Sequence, residues 1–268
     1  MKRIARWTML AFTMVAFICA PAYSQENADN SEKWEFLVIP YIWASAIDGD
    51  VTVKGVSSEV DASFSDILDN LDFATQLHLE AARGRWGLFL DPTYIKLSAD
   101  GDVPTIVGDV DVDVDTEEWL VEFGGFYRLY ELTYSKNELP LLVDVMAGGR
   151  YFYIDNEIDI DGPLGFVDIN VDDSQDWVDP IVGARIQGYL TKKLLVSLRG
   201  DVGGFDMGNT SDFAWNVVAS VGYELSERMT LLFCYRFLDV DYDDGSGNDR
   251  FEYDVQMDGP MIALAIKF

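Results

Sequence analysis

The chain has 268 residues, 47 of them acidic and 19 basic, for a formal net charge of -28 at pH 7. So acidic a surface repels nucleic-acid phosphates and excludes nucleic acid as a partner. With Cys19 expected to leave with a leader peptide, Cys234 has no partner for an internal disulfide. The fold must therefore rest on its core or on a closed sheet.

The N-terminus opens with Lys2, Arg3 and Arg6, continues as an apolar run from Met9 to Ala20, and ends in small residues at Ala22 and Ser24. That is the three-part pattern of a secretory signal, cut after Ser24. The run is too short for a transmembrane helix, and Cys19 lacks the small preceding residue of a lipoprotein signal. The expected organisation is a leader over 1–24, a short segment over 25–33 and one domain over 34–268. The mature chain then carries 16 basic and 47 acidic residues, a net charge of -31.

From residue 34 onward no long helical period and no run of 18 apolar residues appears, which excludes a helical membrane protein. Segments of alternating polarity recur instead, at 34–45, 73–83, 86–98, 115–130, 140–156, 174–190, 194–206, 213–225, 229–242 and 251–268. Short turns such as Gly84-Arg85, Thr191 to Lys193 and Ser226 to Arg228 alternate with longer acidic connections at 46–72, 99–114, 157–173, 207–212 and 243–250. Even strand number and alternating short and long connections are the pattern of a transmembrane up-and-down β-barrel in an outer membrane. The expected fold is all-β, an antiparallel barrel of about 10 strands, with 8 or 12 as alternatives. An extra strand in the VTVKG segment (51–55) would push the count towards twelve.

The faces agree. Trp215, Val217, Ala219, Val221 and Tyr223 share one side of their strand; Trp119, Val121, Phe123 and Tyr127 oppose Glu118, Glu122 and Arg128. Aromatic residues near strand ends on the apolar side (Trp34, Trp86, Tyr94, Trp119, Tyr127, Tyr151, Trp215, Tyr223 and Phe268) resemble two interfacial girdles. The C-terminal MIALAIKF alternates to its last residue, as a strand that closes the barrel against the first would.

The motifs GGRYFYI (148–154), WVDPIVGARI (177–186), RGDVGGF (199–205), YRFLDVDY (235–242), DGPMIALAIKF (258–268) and PYIWAS (40–45) resemble a group of uncharacterised proteobacterial outer-membrane barrel proteins. These are distantly porin-like and similar to outer-membrane-protein-W-like barrels. The resemblance implies the fold and a place in the Gram-negative cell outer membrane, among outer-membrane lipid and lipopolysaccharide. It implies no activity. A terminal Phe268 also resembles the signal read by the barrel assembly machinery.

Strand parity puts Glu80, Asp91, Glu118, Glu122, Asp144, Asp179, Asp201 and Glu224 inside, with Arg128, Arg150, Arg185, Arg199 and Arg236. Charges in a narrow lumen must pair or be hydrated. The expected arrangement is a salt-bridge network that fills the barrel; Phe89, Phe126, Phe152 and Phe205, also read as inward, favour filling. Arg185 and Arg199 are the expected partners of Asp179 and Asp201. The alternative is a charge-selective constriction in a cation-preferring channel. His78, the sole histidine, also points inward, but no nucleophile motif accompanies it. A lipid-modifying enzyme centred on His78 is the third reading, and the expected role is non-enzymatic.

The connections carry acidic runs at 109–115, 155–161, 172–176 and 239–249. The last starts like an EF-hand loop but has Asp244 where glycine belongs, so no cofactor is expected beyond loosely held calcium or magnesium, with Asp239, Asp241 and Asp243 as weak candidates. FSDILDNLDF (64–73) spaces Phe64, Ile67, Leu68 and Leu71 for one face of a short amphipathic helix near 64–72, with Ser63 or Ser65 as its cap. It would serve as a lid over the mouth or lie on the membrane surface.

Overall fold

The structure, a computed structural model, describes residues 33–105, 108–134, 139–161 and 168–268. The expected leader over 1–24 lies outside the described residues, as does most of the 25–33 segment. The described elements run β1 (Glu35–Trp43), β2 (Ala46–Val53), β3 (Val56–Ala62), α1 (Phe64–Asp69), β4 (Leu71–Arg83), β5 (Trp86–Thr105), β6 (Gly108–Tyr134), β7 (Leu139–Asp161), β8 (Asp168–Tyr189), β9 (Leu194–Gly204), β10 (Phe213–Ser226), β11 (Met229–Asp244) and β12 (Phe251–Lys267).

Strands β4 to β12 pair in sequence order, β4 pairs with β1, and β1 returns to β12. The result is a closed antiparallel barrel of 10 strands. MIALAIKF does close it: Val38 faces Ile266 and Ile42 faces Ile262.

The 46–72 connection is not an open loop. The Asp-, Val- and Thr-rich segment forms the hairpin β2–β3, turned at Lys54 and Gly55 with φ of 50° and 77°. β1 and β2 follow one register along β12, from Leu37↔Lys267 through Trp43↔Met261 to Ala46↔Asp258 and Thr52↔Glu252. They are one wall strand with an irregularity at Ala44–Ser45, where the Ala44 N–H still donates to the Pro260 carbonyl at 2.9 Å. Gly259 lies against this point, and a Cβ there would stand 2.0 Å from the Ala44 carbonyl oxygen. β3 and β4 likewise descend in the same sense, with α1 inserted between them. β3 stays with β2, whereas β4 pairs with β5 and, only below Pro40↔Leu77, with β1.

The expected loops at 99–114 and 157–173 are shorter than their composition suggests. Alternating Asp and Val continue the ladder, so β5 and β6 pair out to Thr105↔Gly108, and β7 and β8 to Asp161↔Asp168. The helix is as its spacing implies but ends at Asp69. Ser63 caps it, and Asp66 completes a capping box.

The exterior is apolar between two aromatic belts. Leu88, Leu90, Phe123, Val182, Leu198, Val221, Phe233 and Ile262 are exposed. One belt includes Trp86 against Tyr127 (ring centroids 4.6 Å apart), and the other Phe73, Tyr94 and Trp119 in succession. The lumen is filled in layers. Near the outer mouth Phe152, Trp177 and Tyr242 stack, with Phe251 and Tyr253 edge-on or tilted to them. Phe89, Phe126, Met146 and Ile181 form a second apolar cluster. Phe205 corrects the parity reading: it follows the end of β9 with φ of 75° and is 40% exposed, so it fills no lumen.

Candidate functional site

Strand alternation delivers the ionisable side chains to the lumen, and there they form two clusters. In the first, Glu122 (β6) is gripped by three arginines. Its Oε1 accepts from Arg150 Nε at 3.0 Å and Arg236 Nη2 at 2.6 Å, and its Oε2 from Arg199 Nη2 at 2.6 Å. Asp201 accepts from Arg150, from Asn216 Nδ2 at 2.9 Å and pairs with Arg199 at 3.2 Å. Asn216 in turn accepts from Arg236 Nε at 3.0 Å. Arg150, Glu122 and Asp201 are buried. Buried charges of this kind persist only when paired and hydrogen-bonded together.

The second cluster runs round the wall. Asp144 accepts from Arg128 Nε and Arg185 Nη2, each at 3.0 Å, and Arg185 also donates to Glu80. His78 bridges Glu80 and Asp91, with Nε2 2.9 Å from the first and Nδ1 2.7 Å from the second. Tyr41 donates to Asp91 at 2.6 Å and lies 2.9 Å from the Thr93 hydroxyl. Aromatic faces back the guanidinium groups: Arg185 sits 4.9 Å above Phe126, Arg199 5.3 Å above Phe89 and Arg236 4.7 Å above Trp43.

Asp179 departs from expectation. It pairs with neither Arg185 nor Arg199. Its two oxygens accept from the Ser211 backbone N–H and hydroxyl, both at 2.7 Å, and Trp177 Nε1 donates to the same hydroxyl at 3.0 Å. The β9–β10 connection is thereby drawn into the mouth, where Tyr242 donates to Asn209 at 2.7 Å. Glu224 accepts from Tyr189 at 2.8 Å, apart from both clusters. Glu118 makes no ion pair among the described residues.

The weak metal candidates do not converge. Asp243 pairs with Arg250 at 2.8 Å, and Asp241 faces Asp254 across the strands. Among the described residues no group of three or more His, Cys, Asp or Glu side chains is placed to hold a metal ion. Asn216 falls between Trp215 and Val217, so the same alternation sets it on the inner face, and parity sets Tyr41 there too. Nothing in the sequence pointed to Ser211 or Asn209, which sit in a connection without periodicity.

No protein-family model matches the chain, and no curated protein matches it. Among solved structures, the translocator domain of the autotransporter NalP from Neisseria meningitidis aligns over 90% of each chain, at 10% identity and a TM-score of 0.43. Ail, the attachment invasion locus protein of Yersinia pestis, aligns over 88% of this chain and 99% of its own, at 12% identity and 0.34. The Ralstonia pickettii toluene transporter TbuX aligns over 88% of this chain and 89% of its own, at 10% identity and 0.35. Likeness at this level carries no argument about activity.

Proposed function

We propose that this chain is a non-enzymatic β-barrel of the Gram-negative outer membrane, with a structural or surface role and a lumen closed by its own charges. The apolar belt between two aromatic rings supports the membrane setting, where lipopolysaccharide and lipid would be its neighbours. The observation that carries the closed lumen is Glu122, held by arginines from β7, β9 and β11. One carboxylate on β6 with guanidinium partners from β7, β9 and β11 reaches across the barrel, which supports a lumen filled at that level. His78 has both ring nitrogens committed to carboxylates. That leaves it no hydroxyl to activate and argues against the enzymatic reading.

The test is conductance of the refolded mature protein in a planar bilayer, with heat-modifiable gel migration as proof of folding. Silence from folded protein is the expected result. Steady conductance with cation preference would replace this reading with the channel reading.

A further inference from the structure

The outer rim of the barrel is uneven in height. Trp215 stacks with Phe237 in the outer aromatic belt, ring centroids 6.5 Å apart, and pairs across the sheet with Val202. Above that row the β9–β10 ladder has the rungs Gly203↔Ala214 and Gly204↔Phe213 and then gives way to the 205–212 connection. At the usual rise of a strand, Phe205 lies within about 10 Å of the belt. β11, by contrast, runs on from Phe237 to Asp244 before it turns, about 25 Å of strand. The β9–β10 side of the mouth is therefore low, at the level where headgroups meet the wall.

What this low rim displays is apolar. Phe205 is 40% exposed, Met207 59% and Phe213 45%, and the exposed Val202 and Leu198 continue the same surface down the wall. The turn between β11 and β12 reads DDGSGNDR, without one apolar side chain. The 205–212 connection engages its polar groups with itself and with the mouth. The Asp206 N–H donates to the Ser211 carbonyl at 3.1 Å and the Met207 N–H to Thr210 Oγ1 at 2.9 Å. Asn209 Nδ2 donates to the Asp176 carbonyl at 3.2 Å, and Ser211 is held by Asp179. Gly204, Phe205 and Asp206 take φ of 82°, 75° and 48° in succession. Left-handed backbone is unfavourable for Phe and Asp. These hydrogen bonds hold it in place and leave Phe205 and Met207 uncovered.

We propose that Phe205 and Met207 are a lipid anchor, which ties the low β9–β10 rim to the outer leaflet by packing among acyl chains just beneath the headgroups. The inference rests on the membrane reading of the barrel. Lipid is the occupant because the patch is continuous with the apolar wall through Phe213, Val202 and Leu198 and lies at the height of the aromatic belt. The Asp206 and Met207 N–H groups already have partners, so the two side chains leave water without stranding a donor. The exposed Asp206 between them limits the depth, because a carboxylate stays out of hydrocarbon.

The probe is a nitroxide label on Asp206→Cys in a Cys234→Ser background, with the folded barrel reconstituted in phosphatidylcholine vesicles and heat-modifiable migration as proof of folding. Collisions with oxygen, which concentrates in hydrocarbon, are compared with collisions with an uncharged nickel chelate, which stays in water. Labels on Ser246→Cys and Leu198→Cys mark water and the lipid-facing wall. The oxygen-to-nickel ratio at position 206 should exceed that at 246 by about threefold or more, as an interfacial position implies. Phe205→Ser with Met207→Ser should bring it down to the value at 246. A ratio at 206 equal to that at 246, or one unchanged by the two serines, overturns the proposal. So do low collision rates with both agents, which would place a second copy of the chain on the patch. A Leu198→Cys label that reads as water overturns the membrane reading itself, so the two failures are distinct.

Discussion

Arg150 on β7 and Glu122 on β6 face each other across one rung of the barrel, and Arg150 donates to Glu122 through Nε at 3.0 Å with no exposure to solvent. Removing one member of a buried pair leaves the other charge unanswered, which costs about 3–5 kcal/mol. Arg150→Leu should therefore unfold at markedly lower urea, with heat-modifiable migration as the readout. Adding Glu122→Gln should cost less than the two single losses combined, because both act on one network. Strict additivity would show that the pair is not coupled.

Tyr41 ties β1 to β5 through Asp91 and Thr93. Tyr41→Phe keeps the ring and removes the hydroxyl. It should lower stability by about 1.5–3 kcal/mol, the usual worth of a hydrogen bond to a charged group. A denaturant midpoint equal to wild type would show that the hydroxyl is dispensable.

Gly259 is required by closure. A side chain there would meet the Ala44 carbonyl oxygen at 2.0 Å, on backbone that cannot swing away. Gly259→Val should leave the protein unable to reach its folded gel mobility. Gly247→Ala, at a turn where nothing lies within 4 Å of the added atom, gives the contrast: strain at φ of 64° without a clash, and retained closure.

Asp66 lies outside the wall, in α1. The Ser63 hydroxyl and backbone N–H hold its carboxyl below the ordinary 3.8. Because the folded value is depressed, its contribution is complete above the ordinary range and is lost as pH falls through the folded value. Ser63→Ala should return the Asp66 titration, followed by carboxyl carbon chemical shift, towards 3.8. It should also loosen α1 at neutral pH. An unmoved titration would remove Ser63 as the cause.

Asp179 holds the β9–β10 connection in the mouth through Ser211. Asp179→Ala should free residues 205–212 and make them a site of limited proteolysis in the folded barrel. Equal resistance in wild type and variant would mean that the Tyr242–Asn209 bond suffices.

Most of the barrel was legible because its side chains alternate: with one face in lipid and one in the lumen, period two survives in every wall strand. Parity alone brought Glu80, Asp144 and Arg185 to the inner face, and they meet there. The β2–β3 hairpin was harder to read. Its Asp48-Gly49-Asp50 is polar, and β3 is exposed along most of its length, so no apolar stripe marks it. The split between β3 and β4 had no local signal either, since it arises from which neighbour each half prefers. Asp179 went to Ser211 rather than to an arginine because a connection without periodicity folded inward.

Glu122 and Arg236 are 114 residues apart in sequence, and Arg236 lies on the penultimate strand. Without β11, Glu122 and Asp201 still face Arg150 and Arg199, two carboxylates against two guanidinium groups. Arg236 therefore brings one positive charge in excess, and it reaches Asn216 as well as Glu122. What the penultimate strand contributes is connection, tying the far side of the sheet into a network that is already neutral without it.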